Sequence, residues 1–322
     1  MKYLIHIGDT RKCVVLDCDN VLWGGILSED GIENIYLGDG LGRQYQDFQC
    51  FLLTLYYHGV ILAICSKNDE ADVLRVFREH NGMILKEKNI ACFKVDWNNK
   101  AENIKLISDE LNIGLDSIVF IDDSEHEINL VRSVLPEVLS LLYDRDNIYD
   151  KLTCFNLCNS VNLSNVEQRN KTYQTNNQRK SLKEQCKTYG EYLEMLDIAI
   201  DIHETRQSEI ARISELTQRT NKCTNGVRYT VEQIKQKTSD TDYKLYSVFV
   251  SDKFSDLGLV GVIGTKGDFM DLFSLSCRAL GRNVEEKMLE FIIANNVLYY
   301  NFISTYKNDS LHLKIEQYLI QQ

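Results

Sequence analysis

Cys13-Val14-Val15-Leu16-Asp17-Cys18-Asp19-Asn20, the octet CVVLDCDN at residues 13–20, decides how this chain is read. Four apolar residues run straight into two carboxylates separated by one residue. An apolar run without alternation reads as a strand buried on both faces, as in a parallel sheet. Ligands of open α/β sheets bind beyond the carboxyl ends of the strands, where Asp17 and Asp19 fall. Acids that close repel unless a cation or a proton separates them. The octet therefore predicts a fold and a site together.

Outward from it, strand-like and helix-like stretches alternate. Residues 43–58 carry Phe48, Phe51, Leu52 and Leu55 at helical spacing, closed by Gly59. Residues 60–65 form a second buried strand that ends at Ser66-Lys67-Asn68, and 69–80 a helix with Val73, Val76 and Phe77 on one face. A short strand at 93–95 precedes a helix opened by Lys100. The apolar run 117–121 then ends in a second acidic pair, Asp122-Asp123, and a helix spans about 125–133. Such alternation implies a doubly wound parallel sheet over residues 1–145.

Residues 146–190 read as a connecting region, helical in its later part. Its cations, Arg169, Lys171, Arg179, Lys180, Lys183 and Lys187, form a basic stretch in a chain of net charge −11. Residues 191–322 follow a different order, with a strand at 198–202, a helix at 209–218, strands near 245–250, 259–263 and 269–276, and a helix at 285–294. This reads as a smaller α+β domain.

Composition narrows the function classes. A length of 322 residues suggests two domains, and 44% hydrophobic with 26% charged residues is ordinary globular composition. The acidic balance argues against sequence-independent nucleic-acid binding. Apolar runs are too short for a membrane span, and Met1–His6 leads into no signal pattern, so the expected location is the cytoplasm. Ten irregularly spaced cysteines fit free thiols in a reducing compartment. Cys154 and Cys158 lack a second ligand pair, so structural zinc is not expected.

Four pieces of the first domain converge at one sheet edge: Asp17 with Asp19, Ser66, Lys100, and Asp122 with Asp123. Phosphoryl chemistry needs a carboxylate nucleophile, acids for a divalent cation, and a hydroxyl and a lysine for the non-bridging oxygens. All-oxygen ligation suits Mg²⁺.

With these motifs in order, the chain resembles the haloacid dehalogenase (HAD) superfamily: Asp17-Cys18-Asp19, Ser66, Lys100 and Asp122-Asp123. The resemblance implies that Asp17 accepts the phosphoryl group and binds Mg²⁺. Asp19 then moves protons and lends its backbone carbonyl to the metal, and Asp123 is a ligand with Asp122 in support. Asp19-Asn20-Val21-Leu22-Trp23-Gly24-Gly25, residues 63–71 and Glu127 narrow it to the FkbH-like group, whose phosphatase domain is of HAD subfamily IIIC. Residues 216–221, 258–261 and Leu275-Ser276-Cys277-Arg278-Ala279-Leu280-Gly281-Arg282 extend the likeness to a C-terminal domain similar to GNAT N-acetyltransferases. The implied activity is glyceryl transfer from 1,3-bisphosphoglycerate, a phosphorylated three-carbon metabolite, to an acyl carrier protein in polyketide biosynthesis, with loss of phosphate.

GNAT folds hold the coenzyme A diphosphate in an R/Q-x-x-G-x-G/A loop at a helix N-terminus. Arg278 and Gly281 match it, and Asn283 adds bulk where the backbone approaches phosphate, which favours a carrier's phosphopantetheine arm over free coenzyme A. A glyceryl thioester needs a cysteine. Cys65 lies on a strand facing away from Ser66, whereas Cys277 is expected beside Arg278, where a strand gives way to the loop at a helix N-terminus, and is ranked first. Ser124-Glu125 replaces the family's more usual Asn-Pro, and the last residues lack the usual aromatic finish of the GNAT-like fold. Segment 22–42 is too short for a capping domain. Two other readings fit the same residues: a plain phosphatase whose second domain only binds, and a non-catalytic carrier-binding scaffold.

Overall fold

The computed structural model describes residues 11–152, 155, 163–305 and 307–320. The chain divides into two compact units, Met1–Asn176 and Asn177–Gln322.

The first unit runs β1 (Cys13–Leu16), α1 (Leu27–Asp30), α2 (Arg43–Tyr57), β2 (Ile61–Ser66), α3 (Glu70–Glu79), β3 (Ile90–Val95), α4 (Lys100–Leu111), β4 (Ile118–Asp122), α5 (Glu125–Val134), β5 (Leu139–Leu142), α6 (Ile148–Lys151) and α7 (Leu163–Gln174). Its sheet has the order β3-β2-β1-β4-β5, every neighbour parallel. The chain winds from β1 outward to β3, then crosses to β4, so a switch point lies between β1 and β4.

Strand parity explains why β1 is apolar throughout. Val14 and Leu16, with Leu62, Ile64, Val119 and Ile121, meet Phe48, Leu52, Val73 and Phe77 on one face. Cys13 and Val15, with Ala63, Cys65, Ile118 and Phe120, meet Ile104, Ile107, Leu111 and Val131 on the other. All four residues of β1 are fully buried. Burying each of these larger apolar side chains contributes about 1.5–3 kcal/mol before entropy is charged against it. This is the doubly wound α/β fold expected of a HAD-like domain.

The second unit contains α8 (Asn176–Gln185), which starts one residue before the division, α9 (Tyr189–Leu196), β6 (Ala199–Glu204), α10 (Ile210–Arg219), β7 (Cys223–Thr224), α11 (Val231–Lys237), β8 (Tyr243–Asp252), β9 (Ser255–Lys266), β10 (Phe269–Leu275), α12 (Val284–Ala294), β11 (Tyr299–Tyr300) and α13 (Asp309–Ile320). Its six-stranded sheet is ordered β11-β10-β9-β8-β6, with β7 paired to β10. The strands are antiparallel except β10 with β11, which pair in parallel only at Phe269↔Tyr299 and Met270↔Tyr300. Ile210, Ile213, Leu216 and Ile234 cover one face, and Met288, Leu289, Ile292, Leu311 and Ile315 the other. This is the smaller α+β architecture expected of the second domain.

The stretch read as a connector is shared between the units. In the first, Arg169 is buried and donates to the Gly59 carbonyl (2.7 Å), and Gln174 donates to that of Ile90 (2.8 Å). In the second, Arg179 is buried and pairs with Asp252 through Nε (2.8 Å) and Nη2 (3.0 Å). Two of the six cations are therefore structural, because a buried guanidinium needs its acceptors inside the fold. Lys171, Lys180, Lys183 and Lys187 are exposed. Cys154 and Cys158 lie outside the described residues. Among those described, eight cysteines are free thiols and no helix is long and apolar enough to cross a membrane.

Candidate phosphoryl-transfer site

Parallel register sets the site. Cys13 aligns with Ile61 and Ile118, and Leu16 with Ile64 and Ile121, so β1, β2 and β4 end almost level. Asp17, whose backbone N–H donates to the Ile121 carbonyl (3.0 Å), continues the parity of Cys13 and Val15 toward the α4 layer. Asp122 continues that of Ile118 and Phe120. Helix α4 starts where the Asn99 side chain accepts from the Ala101 N–H, which makes Lys100 its first residue. Its ammonium lies 2.8 Å from Asp17 Oδ2 and 2.6 Å from Asp122 Oδ2, all three groups buried.

Asp17, Asp122 and Asp123 each offer a carboxylate oxygen within 4.8 Å of the others. Asp122 Oδ1 takes the Ser124 N–H (2.9 Å), and the Ser124 hydroxyl caps α5, filling the place of the family's Asn-Pro. Asp123 is exposed and its carboxylate is hydrogen-bonded by the Asn20 side chain. Asp17 Oδ1 is buried and has no hydrogen-bond partner among the described residues. Three carboxylates and one ammonium leave two net negative charges when all are ionised. An orphaned oxygen in such a cluster fits a divalent cation held by Asp17 and Asp123 with Asp122 behind them. Burial, then the Asp17 charge, pushes Asp122 up to about 6 and raises Asp123 also. A cation must displace that proton, so stabilisation by Mg²⁺, read as a shift in thermal midpoint, is expected to shrink as pH falls through about 6. An unchanged shift at pH 5 would contradict this ligand set.

Asp19 stands outside the cluster. Its Oδ1 accepts from Trp23 Nε1 (2.8 Å) and the Leu27 N–H (3.1 Å), and its Oδ2 from Asn68 Nδ2 (2.9 Å). Burial raises its pKa against these donors. Any part it takes in holding a metal is left to its backbone carbonyl. Ser66 is buried and its hydroxyl accepts from Asn68 Nδ2 (3.2 Å). Cys65 faces the opposite way, its thiol 3.8 Å from the Lys100 carbonyl, and burial drives its pKa far up. It is a core thiol, as expected from strand parity.

Segment 22–42 forms a small flap, pinned where Gly24 and Tyr36 exchange backbone hydrogen bonds (3.0 and 2.8 Å). A Cβ on Gly24 would meet the Tyr45 ring at 2.7 Å, so only glycine lets that ring close in. Lys67 pairs with Glu127 (2.7 Å), which ties the end of β2 to the first turn of α5. Sequence reasoning did not assign Asn68, Trp23 or Asn20 a part. The signal was a polar residue two places after Ser66, and an indole and an amide close behind the D-x-D.

Cys277 and the loop after it belong to the second unit. Strand β10 ends at Leu275, and Cys277 opens the short 3-10 turn Cys277–Ala279 in the loop that leads to α12, whose N-cap falls at Asn283. Cys277 is half-buried and Arg278 is buried. Gly281 has φ +72° with open space around a would-be Cβ, and Asn283 has φ +57°. The first turn of α12 carries Glu285 and Glu286, both on Lys314, the first at 3.1 Å and the second at 2.5 Å. A diphosphate at that helix end would meet two carboxylates.

No family model and no curated protein matches this chain. Among solved structures it is similar to the N-terminal part of the protein BF1531 from Bacteroides fragilis, containing a phosphatase domain complexed with Mg. The identity is 42% over 47% of this chain and 41% of that one, with a TM-score of 0.44. The chain thus matches about two fifths of that protein's length. It is also similar to the HAD family enzyme bt-2542 from Bacteroides thetaiotaomicron, in complex with magnesium and inorganic phosphate (14% identity, 45% of this chain, 100% of that one, TM-score 0.31). A third likeness is to mutant forms of the spermidine/spermine N-acetyltransferase SpeG from Vibrio cholerae (12% identity, 36% of this chain, 77% of that one, TM-score 0.27). What the first unit itself shows is a doubly wound parallel sheet with Asp17, Lys100 and Asp122 brought together at the carboxyl ends of its strands.

Proposed function

We propose that this chain is a Mg²⁺-dependent phosphatase and glyceryl transferase, which takes 1,3-bisphosphoglycerate, releases phosphate and forms a glyceryl thioester on an acyl carrier protein. The observation that carries the phosphatase half is Asp17: one oxygen on Lys100, the other buried and unpartnered beside Asp122 and Asp123. Asp17 attacks phosphorus as the ester P–O bond breaks, and Asp19 gives a proton to the departing oxygen. Water then attacks the aspartyl phosphate, Asp19 takes its proton, and the Asp17 carboxylate is restored. Lys100 and the Ser66 hydroxyl hold non-bridging oxygens. Mg²⁺, when bound, neutralises charge on the phosphoryl group.

For the transferase half, the Cys277 thiolate attacks the acyl-phosphate carbonyl carbon, the bond from that carbon to the 1-phosphate oxygen breaks and phosphate leaves. The acyl group then passes by thioester exchange to the thiol of the phosphopantetheine arm, which the loop with Arg278 and Gly281 receives. The P–O cleavage at Asp17 removes the remaining 3-phosphate. The Glu285–Glu286 pair supports a carrier-borne arm over free coenzyme A, since the arm brings one phosphate and not the diphosphate. Exposed Lys180, Lys183 and Lys187 on the same unit suit an acidic carrier. The reading places the protein in the cytoplasm, where free thiols persist, in polyketide-type extender-unit synthesis.

Incubation with Mg²⁺, 1,3-bisphosphoglycerate and candidate carrier proteins, followed by mass spectrometry of the carriers, is expected to show a glyceryl adduct. Cys277→Ala should abolish that adduct and Cys65→Ala should keep it. Phosphate release without any adduct leaves a plain phosphatase with a binding module, and neither product leaves a scaffold.

A further inference from the structure

The three donors on Asp19 do not divide evenly. A carboxylate offers about four acceptor sites, two on each oxygen. Trp23 Nε1 and the Leu27 N–H fill those of Oδ1, and Asn68 Nδ2 fills one of Oδ2. Among the described residues the acceptor site left for a proton is therefore on Oδ2, the oxygen that Asn68 orients. Asn68 is itself 2% exposed and reaches Ser66 Oγ (3.2 Å) with the same nitrogen. Ser66 ends β2 and Asp19 follows β1, so Asn68 links the phosphate-facing hydroxyl to the proton-moving carboxylate across two strands.

We infer that Asn68 is a positioning residue for Asp19: it turns Oδ2, and the proton carried there, toward the oxygen that leaves phosphorus. This rests on the phosphoryl-transfer reading of the site. In the step concerned, the Asp17 O–P bond forms and the ester P–O bond breaks. The leaving oxygen keeps the bonding pair and receives the proton from Asp19 Oδ2, which becomes the carboxylate that later accepts a proton from water. Trp23 and Leu27 come from the flap and fix the other oxygen, so the carboxylate plane is set from two sides. Loss of Asn68 frees that plane to rotate without touching Asp17, Lys100 or the acid cluster.

The test uses the full chain with Mg²⁺ and two esters, 4-nitrophenyl phosphate and phenyl phosphate, the latter with a far more basic leaving oxygen. The ratio kcat/KM reports the steps through ester cleavage. Asn68→Ala is expected to lose on the order of tenfold more on phenyl phosphate than on 4-nitrophenyl phosphate, a share of the roughly 10²–10⁴ that proton transfer supplies. Asn68→Ser, which keeps a hydroxyl donor, should recover part of that difference and serves in its place should Asn68→Ala not fold. Equal losses on both esters, in whichever variant folds, overturn the inference and leave Asn68 a support for Ser66. If the unmodified protein hydrolyses neither ester, the phosphoryl-transfer reading itself falls, and this inference with it.

Discussion

Asp17→Asn is expected to lower phosphate release by roughly 10³-fold or more while leaving the protein folded, because the nucleophile acts as a unit with its proton donor and cation. The amide has almost the shape of the carboxylate but will not displace an ester oxygen. The folded state should not suffer. Buried Asp17 lies close to buried Asp122 and to the exposed Asp123, so removing one of three like charges relieves repulsion, and the Asn oxygen still accepts from Lys100. Stabilisation by Mg²⁺ should shrink at the same time, since the orphaned Oδ1 is lost as an anionic ligand. Turnover within tenfold of the unmodified protein would place the nucleophile elsewhere.

Lys100→Met should be costly for folding as well as for activity. The ammonium lies between two buried carboxylates, at 2.8 and 2.6 Å, and methionine fills its space without its charge. Removing one partner of a buried ionic cluster leaves uncompensated charge, worth about 3–5 kcal/mol. Both tryptophans, Trp23 and Trp97, lie in the first unit, so their fluorescence follows its unfolding alone. With a slope of about 1–3 kcal/mol per molar urea, the midpoint in chelator should fall by roughly 1–5 M. Added Mg²⁺ should restore part of the shift by supplying the missing positive charge. A midpoint that does not move would show that Asp17 and Asp122 tolerate each other without Lys100, and the charge balance drawn for the site would be wrong.

The two substitutions separate chemistry from architecture. Asp17→Asn removes the attacking group and spares the fold, whereas Lys100→Met strikes both, because one ammonium serves the substrate's oxygens and the resting acids alike.

Some of this was readable without coordinates. The apolar octet ending in D-x-D, the strand ending at Ser66, the helix opening on Lys100 and the strand ending in Asp122-Asp123 are local patterns. A strand buried on both faces has to be apolar throughout, and groups at its carboxyl end have to meet those of its neighbours. Elements with little local signal were missed. Two-residue β11 has no periodicity, β5 is short and partly exposed, and α11 is a seven-residue helix with one buried apolar side chain, Ile234. Arg169 and Arg179 read as solvated cations, yet each is buried on an acceptor distant in sequence, at Gly59 and Asp252.

The sequence by itself determined which residues reach the carboxyl edge of the sheet, because strand parity and chain order leave them nowhere else to go. Only the tertiary structure decided how they divide the work. Asp17 and Asp122 close on Lys100 with Asp123 beside them, and Asp19 turns from them to Trp23, Leu27 and Asn68. The same structure put Cys277 in a 3-10 turn of the loop before α12 and tied Glu285 and Glu286, in the first turn of that helix, to Lys314. The physical reason is common to these cases. A side chain's role depends on which donors and charges lie within about 3 Å of it, and those partners come from strands and helices tens of residues apart, which no local pattern specifies.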